Sequence, residues 1–235
     1  MHVWRVALDQ SPSQAEALLG ILAPDEQRRA ERFHFRKDRR RFVVARGVLR
    51  IILGRYLHTA PDDLRFSYSR YGKPALAGAS GVDAVRFNVS HSHELALYAI
   101  TLDREIGLDI EYMREGFAGE QVAEQFFSPR EVATLRALPA HMQTEGFFNC
   151  WTRKEAYIKA RGEGLSFPLD GFDVSLAPGD PARLLSVRGD RRESLRWALR
   201  ELTPGPDYAA ALAVEGHDWQ QHCWRWTGTH VTTPR

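Results

Sequence analysis

The feature that most constrains the fold is a segment in which apolar and acidic residues alternate, Ile106-Gly107-Leu108-Asp109-Ile110-Glu111. Successive side chains of a β-strand point to opposite faces, so Asp109 and Glu111 share one face while the aliphatic residues face a core. Asp and Glu are poor strand formers, and two of them on one face repel unless a cation or a basic partner lies between them. The segment therefore predicts a half-buried strand whose acidic face is either solvated or binds a cation.

A second segment, Trp151-Thr152-Arg153-Lys154-Glu155-Ala156-Tyr157-Ile158-Lys159, has helical character. Residues four apart share a helix face, so Trp151, Glu155 and Lys159 form one stripe. Taken alone, Glu155 and Lys159 are a surface ion pair of about 0.2–0.5 kcal/mol. Combined with the acidic strand, they suit a hard divalent cation that is bound to a phosphate.

The composition excludes several classes of protein. In 235 residues, 43% are hydrophobic and 26% charged, which is ordinary for a globular protein of one large or two small domains. The net charge of +2 is too mild for a dedicated nucleic-acid binder. Cys150 and Cys223 are far apart and form no Cys-x-x-Cys motif, which predicts reduced thiols. With no apolar leader pattern and no run of transmembrane length, we expect a cytoplasmic protein without membrane contact.

Hydrophobic periodicity and Pro/Gly punctuation predict helices followed by strands in each half of the chain. The predicted helical regions are 12–22, 24–57, 129–138 and 142–160, the third of them opened by a capping box at Ser128. The predicted strands are 3–8, 64–68, 86–89, 94–101, 105–111, 172–176, 183–187, 195–202, 208–214 and 222–226. This pattern predicts an α+β fold of two similar halves, 1–108 and 109–228, followed by a tail, 229–235.

Two further groups of residues have more than one interpretation. His91 and His93 could form a His-x-His zinc site, but no third His or Cys has a useful spacing, so hydrogen bonding of His91 to an anion is the better interpretation. The basic run between residues 28 and 41 is either a solvated helix face or a phosphate clamp, because guanidinium groups match phosphate geometry.

Taken together, these segments resemble the 4′-phosphopantetheinyl transferases of the surfactin-synthetase-activating type. The resemblance spans roughly residues 24–176, and the matching pieces occur in the family's order. They are Tyr71-Gly72-Lys73-Pro74, Phe87-Asn88-Val89-Ser90-His91-Ser92, Ile106 to Glu111, Phe126-Phe127-Ser128-Pro129-Arg130-Glu131, Trp151 to Lys159, and Gly164-Leu165-Ser166.

The resemblance implies two similar halves related by a pseudo-twofold axis, with coenzyme A between them. It implies transfer of the phosphopantetheine arm to a serine of an apo acyl or peptidyl carrier protein, with release of 3′,5′-ADP and dependence on Mg2+. It implies that Asp109, Glu111 and Glu155 bind Mg2+, and that Glu155, Lys159 and Asp109 are the catalytic residues. The coenzyme A phosphates would be contacted by Ser90, His91 and Lys159. The 3′-phosphate would be contacted by Arg29 and Arg41, and the adenine by Lys73 and Pro74.

Three positions depart from the family pattern. Glu26 stands where relatives often carry a basic residue near the 3′-phosphate, Phe42 where some carry a small hydroxyl residue, and His93 where a glycine is common. None of these positions belongs to the predicted metal ligands.

Two other functions compete with this interpretation. A metal-dependent phosphohydrolase acting on a nucleotide would need a positioned water and more clustered carboxylates or histidines. A nucleic-acid-binding module would use the arginine-rich helix and show salt-sensitive binding. For the transferase we expect a monomer that binds no nucleic acid and docks its carrier protein on the segment 112–127, with Met113 and Phe117 in contact.

Overall fold

The computed structural model describes residues 1–78, 84–114, 119–190, 192–228 and 231–232. The helices are α1 (Pro12–Leu19), α2 (Pro24–Glu31), α3 (Arg36–Leu57), α4 (Glu120–Phe126), α5 (Pro129–Ala137), α6 (Ala140–Arg161) and α7 (Glu193–Arg196). The strands are β1 (His2–Ala7), β2 (Phe66–Tyr68), β3 (Pro74–Leu76), β4 (Val85–Ser92), β5 (Leu95–Leu102), β6 (Ile106–Tyr112), β7 (Phe172–Val174), β8 (Leu184–Val187), β9 (Trp197–Leu202), β10 (Tyr208–Glu215), β11 (His222–Trp226) and β12 (Val231–Thr232).

The strands form two larger sheets and two small antiparallel pairs among the described residues. The N-terminal sheet has the order β12–β11–β1–β5–β4, in which β11 runs parallel to β1. The C-terminal sheet has the order β6–β10–β9 and is antiparallel. The small pairs are β2–β3 and β7–β8.

The order of elements repeats along the chain. The series β1–α1–α2–α3–β2–β3–β4–β5 recurs as β6–α4–α5–α6–β7–β8–β9–β10, with α7 inserted before β9. After the second series, β11 and β12 return to the edge of the first sheet. The prediction of an α+β fold with two similar halves is thus confirmed. The suggested boundary between residues 108 and 109 lies inside β6.

Apolar clusters hold these layers together. One packs α3 against the N-terminal sheet, with Val48 and Tyr98 at its centre, and another packs α6 against the C-terminal sheet, with Tyr157 and Ala211. A third lies between the halves and joins residues of β1, β5, β6 and β10. Ile106, Leu108 and Ile110 belong to this third cluster, which confirms that the aliphatic face of β6 is buried.

Two sequence predictions need correction. The helical region 24–57 is two helices, because the backbone leaves the helix after Glu31 and Phe33 packs on Phe42 with ring centroids 5.2 Å apart. The predicted strand 195–202 begins at Trp197, since Glu193–Arg196 forms α7. Of the predicted tail, only residues 231–232 are described, as β12.

No helix among the described residues is both long and apolar enough to cross a membrane.

Candidate active site

Gly107 allows helix α6 to lie directly on strand β6. A Cβ atom at this position would stand 2.0 Å from the carbonyl oxygen of Ala156 and 2.2 Å from the amide nitrogen of Ala160. Any side chain would therefore push the helix away from the strand. The glycine thus sets the separation between the acidic face of β6 and the stripe of α6 that carries Glu155 and Lys159.

Asp109 is the point at which three elements meet. Its side chain is buried, with 3% of the residue exposed. Its Oδ1 atom accepts hydrogen bonds from Ser90 Oγ of β4 at 2.9 Å and from Lys159 Nζ of α6 at 2.5 Å. The other carboxylate oxygen, Oδ2, is buried and has no hydrogen-bond partner among the described residues. A buried acceptor without a donor is costly, so this oxygen is an open ligand position.

Polar side chains at alternate positions of β4 join the two halves beside this carboxylate. Asn88 Oδ1 accepts a hydrogen bond from the backbone amide of Leu108 at 2.9 Å. Ser92 Oγ donates to Glu111 Oε2 at 2.9 Å and accepts from the backbone amide of Tyr112 at 3.0 Å. Sequence reasoning missed Asn88 and Ser92 as positioning residues, although the period-2 spacing of the polar residues in β4 is a signal for them.

Negative charge is crowded around the acidic face of β6. Burial, Asp109 and Glu111 together raise the pKa of Glu155 to about 7, although Lys159 opposes this shift. Burial and Asp109 likewise raise the pKa of Glu111. For Lys159, burial alone would lower the pKa, but Asp109 and the two glutamates overcome burial and raise it. The three carboxylates therefore repel one another electrostatically, and Lys159 compensates only part of their negative charge.

The donor chemistry of the three carboxylates fits a hard divalent cation. Carboxylate oxygens are the protein ligands that Mg2+ prefers, and Asp109 Oδ2 is an acceptor that awaits a partner. In the described residues, however, no three carboxylate, histidine or cysteine side chains already form a metal-binding group. Lys159 Nζ stands beside Asp109 and supplies the positive charge there.

The side chains that we predict to contact phosphate, His91, Arg41 and Arg29, have different neighbours in the structure. Burial together with the positive charges of Lys159, Arg29 and Arg41 lowers the pKa of His91, although Asp109 opposes this shift. The guanidinium of Arg41 forms a bidentate pair with Asp9, at 2.6 Å and 2.8 Å. Arg29 lies over the ring of Phe42, with its Cζ atom 5.3 Å from the ring centroid.

Lys73 and Pro74 line a separate cavity of about 330 Å3 between β2, β3, β4 and the end of α6. The ammonium of Lys73 donates to the carbonyl oxygen of Lys159 at 2.7 Å, and to that of Ala160 at 3.4 Å. Because these carbonyls belong to the last turn of α6, Lys73 satisfies a helix C-terminus from the other half of the molecule. The cavity thus adjoins the helix that carries Glu155 and Lys159.

The three residues that depart from the family pattern each have defined contacts or backbone geometry in the structure. Glu26 is buried and forms ion pairs with Arg50 at 2.7 Å and with Arg46 at 2.9 Å, so its carboxylate is part of the helix packing. His93 has a positive φ of 52°, a conformation that glycine adopts without strain, and its ring stacks on Tyr112. Phe42 packs against Phe33 and under Arg29.

Comparisons with known proteins define the family. The family model described as the 4′-phosphopantetheinyl transferase superfamily matches residues 105–213, and the model described as the N-terminal part of 4′-phosphopantetheinyl transferase matches residues 8–102. The second model covers the first repeated series from α1 to β5, without β1, and the first model covers almost all of the second series, β6 to β10.

Individual relatives agree with this assignment. The 4′-phosphopantetheinyl transferase HetI of Nostoc sp. is 42% identical over 96% of this chain and 92% of its own length. The 4′-phosphopantetheinyl transferase Sfp of Bacillus subtilis is 32% identical over 75% of this chain and 77% of its own. Among solved structures, the match to the Chronobacterium ammoniagenes ACPS-CoA complex covers 49% of this chain and 98% of that chain, with 23% identity and a TM-score of 0.37.

The fold and the matches define a transferase built from two similar halves. The chain belongs to the 4′-phosphopantetheinyl transferase family. The resemblance to the surfactin-synthetase-activating type is confirmed by the similarity to Sfp.

Proposed function

We propose that this protein transfers the 4′-phosphopantetheine arm of coenzyme A to a serine of an apo carrier protein, releases 3′,5′-ADP and depends on Mg2+. The observation that carries the proposal is the meeting of Asp109, Ser90 and Lys159 from three elements, beside a buried carboxylate oxygen that lacks a partner. An acidic centre next to several cations suits a substrate that is a metal-bound anion.

Mg2+ would be held by Asp109, Glu111 and Glu155, and it would neutralise and orient the diphosphate of coenzyme A. The protein prepares these ligands in different ways. Ser90 and Ser92 fix the Asp109 and Glu111 carboxylates by hydrogen bonds. Such bonds reduce the freedom of a ligand and hold it in the orientation that the metal needs.

Glu155 is the residue to which we assign acceptance of the serine proton, directly or through a water molecule. Asp109 is engaged by Lys159 and Ser90, and Glu111 accepts a hydrogen bond from Ser92. The side chain of Glu155 makes no hydrogen bond or ion pair with any described residue, so its oxygens are available for the hydroxyl of the incoming serine.

To Lys159 we assign stabilisation of the departing phosphate of 3′,5′-ADP. Its ammonium lies within 3.2 Å of Ser90 Oγ, on the strand that also carries His91. A cation here would meet the charge that develops on the leaving oxygen. Ser90 and His91 would then hold the diphosphate on the side of β4.

The remaining parts of coenzyme A find matching surroundings. The adenine would enter the cavity lined by Lys73 and Pro74. The 3′-phosphate would meet Arg29 and Arg41, where it competes with Asp9 for the Arg41 guanidinium. Bidentate exchange of a carboxylate for a phosphate preserves the guanidinium geometry.

For carrier docking we propose the rim formed by His93, Tyr112 and Tyr208. The His93 and Tyr112 rings stack with centroids 4.7 Å apart, and Tyr112 and Tyr208 meet edge to face at 5.2 Å. Tyr112 directly follows Glu111, so this rim borders the acidic centre. Of the two residues expected to contact the carrier, Met113 is half-buried against the C-terminal core and Phe117 lies outside the described residues, so their contact with the carrier stays a prediction.

We also propose that the protein acts as a monomer and binds no nucleic acid. A single chain supplies both halves of the site, so a second copy is not needed. Within the basic run, Arg41 pairs with Asp9 and Arg29 lies over Phe42, which supports a local role rather than a continuous phosphate-tracking surface.

The proposal is tested by incubating the protein with coenzyme A, Mg2+ and apo carrier proteins of fatty-acid, polyketide and nonribosomal-peptide type. Intact mass spectrometry should show one added phosphopantetheinyl group per carrier, with an equal amount of 3′,5′-ADP. Carriers whose modified serine is replaced by alanine provide the control. Breakdown of coenzyme A without modification of any carrier would contradict transfer and favour the phosphohydrolase.

A further inference from the structure

A cavity of about 480 Å3 lies between the two halves, away from the junction of β4 and β6. Its walls come from β1, β5 and β11 of the N-terminal sheet, and from the end of β9 with the turn that follows it. Cavities of this size accommodate small organic molecules.

The internal repeat relates this cavity to the junction of β4 and β6. In the repeated series β1 corresponds to β6, and β9 corresponds to β4. The junction of β6 and β4 carries Asp109 and Ser90, so the cavity beside β1 and β9 is its counterpart in the other half. Among the described residues, β6 is an edge strand that pairs only with β10. Its counterpart β1 pairs with β5 on one side and with β11 on the other.

The counterpart site carries arginines instead of carboxylates. Arg5 of β1 and Arg225 of β11 are direct neighbours in the parallel register, and both line the cavity. Neither guanidinium group makes an ion pair or hydrogen bond with any residue that the structure describes. Burial and the neighbouring Arg225 lower the pKa of Arg5, although Tyr208 and Glu94 oppose this shift. By contrast, Glu201 in the same wall is already paired with Arg153 at 2.8 Å.

Apolar side chains complete the walls beside the arginines. Val3 and Leu97 are buried in the cluster between the halves, and Leu202 of β9 belongs to the same cluster. We propose that this cavity binds an organic oxyanion with an apolar body, whose phosphate or carboxylate group pairs with Arg5 and Arg225. Two adjacent guanidinium groups that form no ion pair with a described residue match the oxyanion, and the aliphatic wall matches the body.

Cys223 allows the site to be tested directly, because it lines the cavity and is exposed, whereas Cys150 is buried. The full chain is treated with iodoacetamide, and the rate of Cys223 alkylation is followed by peptide mass spectrometry with 1-naphthyl phosphate, 1-naphthoate, 1-naphthylmethanol or inorganic phosphate present. Both naphthyl anions should slow alkylation at least about ten-fold at saturation, and the neutral alcohol should not.

Arg5→Gln and Arg225→Gln should each raise the half-protecting concentration about ten-fold, the loss of one charge-assisted contact. Arg55→Gln removes an exposed arginine elsewhere and should match the wild type. If Arg5→Gln does not fold, as judged by its unfolding temperature, Arg225→Gln carries the test. The proposal would be overturned if the naphthyl anions gave no protection, if the alcohol protected equally well, or if both arginine variants were protected as well as the wild type. Loss of the protection when one equivalent of coenzyme A is added would also overturn it.

Discussion

The two halves share one frame and differ in what they place on it. Helices α3 and α6 each have 22 residues, and the fifteenth residue of each is a buried cation, Arg50 or Lys154. Each cation pairs at 2.7 Å with a glutamate at the third position of the preceding helix, Glu26 or Glu131.

The correspondence extends to the surroundings of these cations. Arg50 lies over Phe66 and donates to backbone carbonyls after α3, and Lys154 lies over Phe172 and donates to carbonyls after α6. Lys154, although adjacent to Glu155 in the sequence motif, therefore supports the fold, as Arg50 does.

The halves diverge at the neighbouring helix positions. Glu155 and Lys159 of α6 correspond to Ile51 and Arg55 of α3. The α6 pair meets the acidic face of β6, whereas α3 packs against an apolar face of β1. The comparison teaches that the frame is duplicated while the proposed chemistry occupies one half.

The largest expected effect is on Glu155. Glu155→Gln should lower the rate of carrier modification by about 10²–10⁴-fold, because a proton acceptor and a metal ligand are both lost. The unfolding temperature should stay near that of the wild type, since the side chain of Glu155 makes no hydrogen bond with a described residue. Glu145→Gln, an exposed site on the same helix, is the matched control for rates from intact mass. Wild-type rates in Glu155→Gln would remove Glu155 from the site.

The shared frame is tested by Arg50→Met and Lys154→Met. Lys154→Met leaves the buried Glu131 without its cation and should reduce the free energy of unfolding by about 3–5 kcal/mol, as measured in urea. Arg50→Met should cost less, because Glu26 keeps its ion pair with Arg46. Combining Lys154→Met with Glu131→Leu should recover much of the loss, because the unpaired charge is removed. A large loss in one half and none in the other would show that the two pairs are not equivalent.

The divergence is tested by replacing the corresponding cation of each helix with methionine. Lys159→Met should lower kcat by about 10²–10³-fold, because the leaving phosphate loses a cation. Arg55→Met, at the corresponding position of α3, should leave kcat unchanged. Similar kcat values for the two variants would contradict a site confined to one half.

A smaller effect is expected at the edge of the site. Arg41→Gln should weaken coenzyme A binding by about 1–3 kcal/mol, seen as a higher KM for coenzyme A, by loss of a phosphate contact. Arg40→Gln, at the adjacent exposed position, serves as the control. With dephospho-coenzyme A, which lacks the 3′-phosphate, Arg41→Gln and the wild type should have similar KM values. Equal damage with both substrates would separate Arg41 from the 3′-phosphate.

Local patterns in the sequence predicted much of the fold. The alternation in β6 predicted its buried and acidic faces, and the Ser128 capping box is present, with Ser128 Oγ accepting from the Glu131 amide at 3.2 Å. Long-range features were beyond such reasoning. The burial of Lys154 depends on Glu131, and the pairing of β11 with β1 joins the two ends of the chain.

The same distinction holds for the candidate site. The spacing of Asp109, Glu155 and Lys159 indicated a shared centre, and the structure brings Lys159 to Asp109. The pairing of Arg41 with Asp9 was not predictable, because it depends on how a loop after β1 meets α3. The roles of these residues toward coenzyme A and Mg2+ remain predictions.

The central claim is that Asp109, with its unpartnered oxygen, holds Mg2+ in the C-terminal half. The most direct measurement is thermal unfolding of the wild type and Asp109→Asn across a Mg2+ titration, paired with intact-mass assays of carrier modification. We predict a saturable rise in the wild-type unfolding temperature, and neither that rise nor transfer in Asp109→Asn. A variant that keeps the Mg2+ response and modifies the carrier at the wild-type rate would contradict the account.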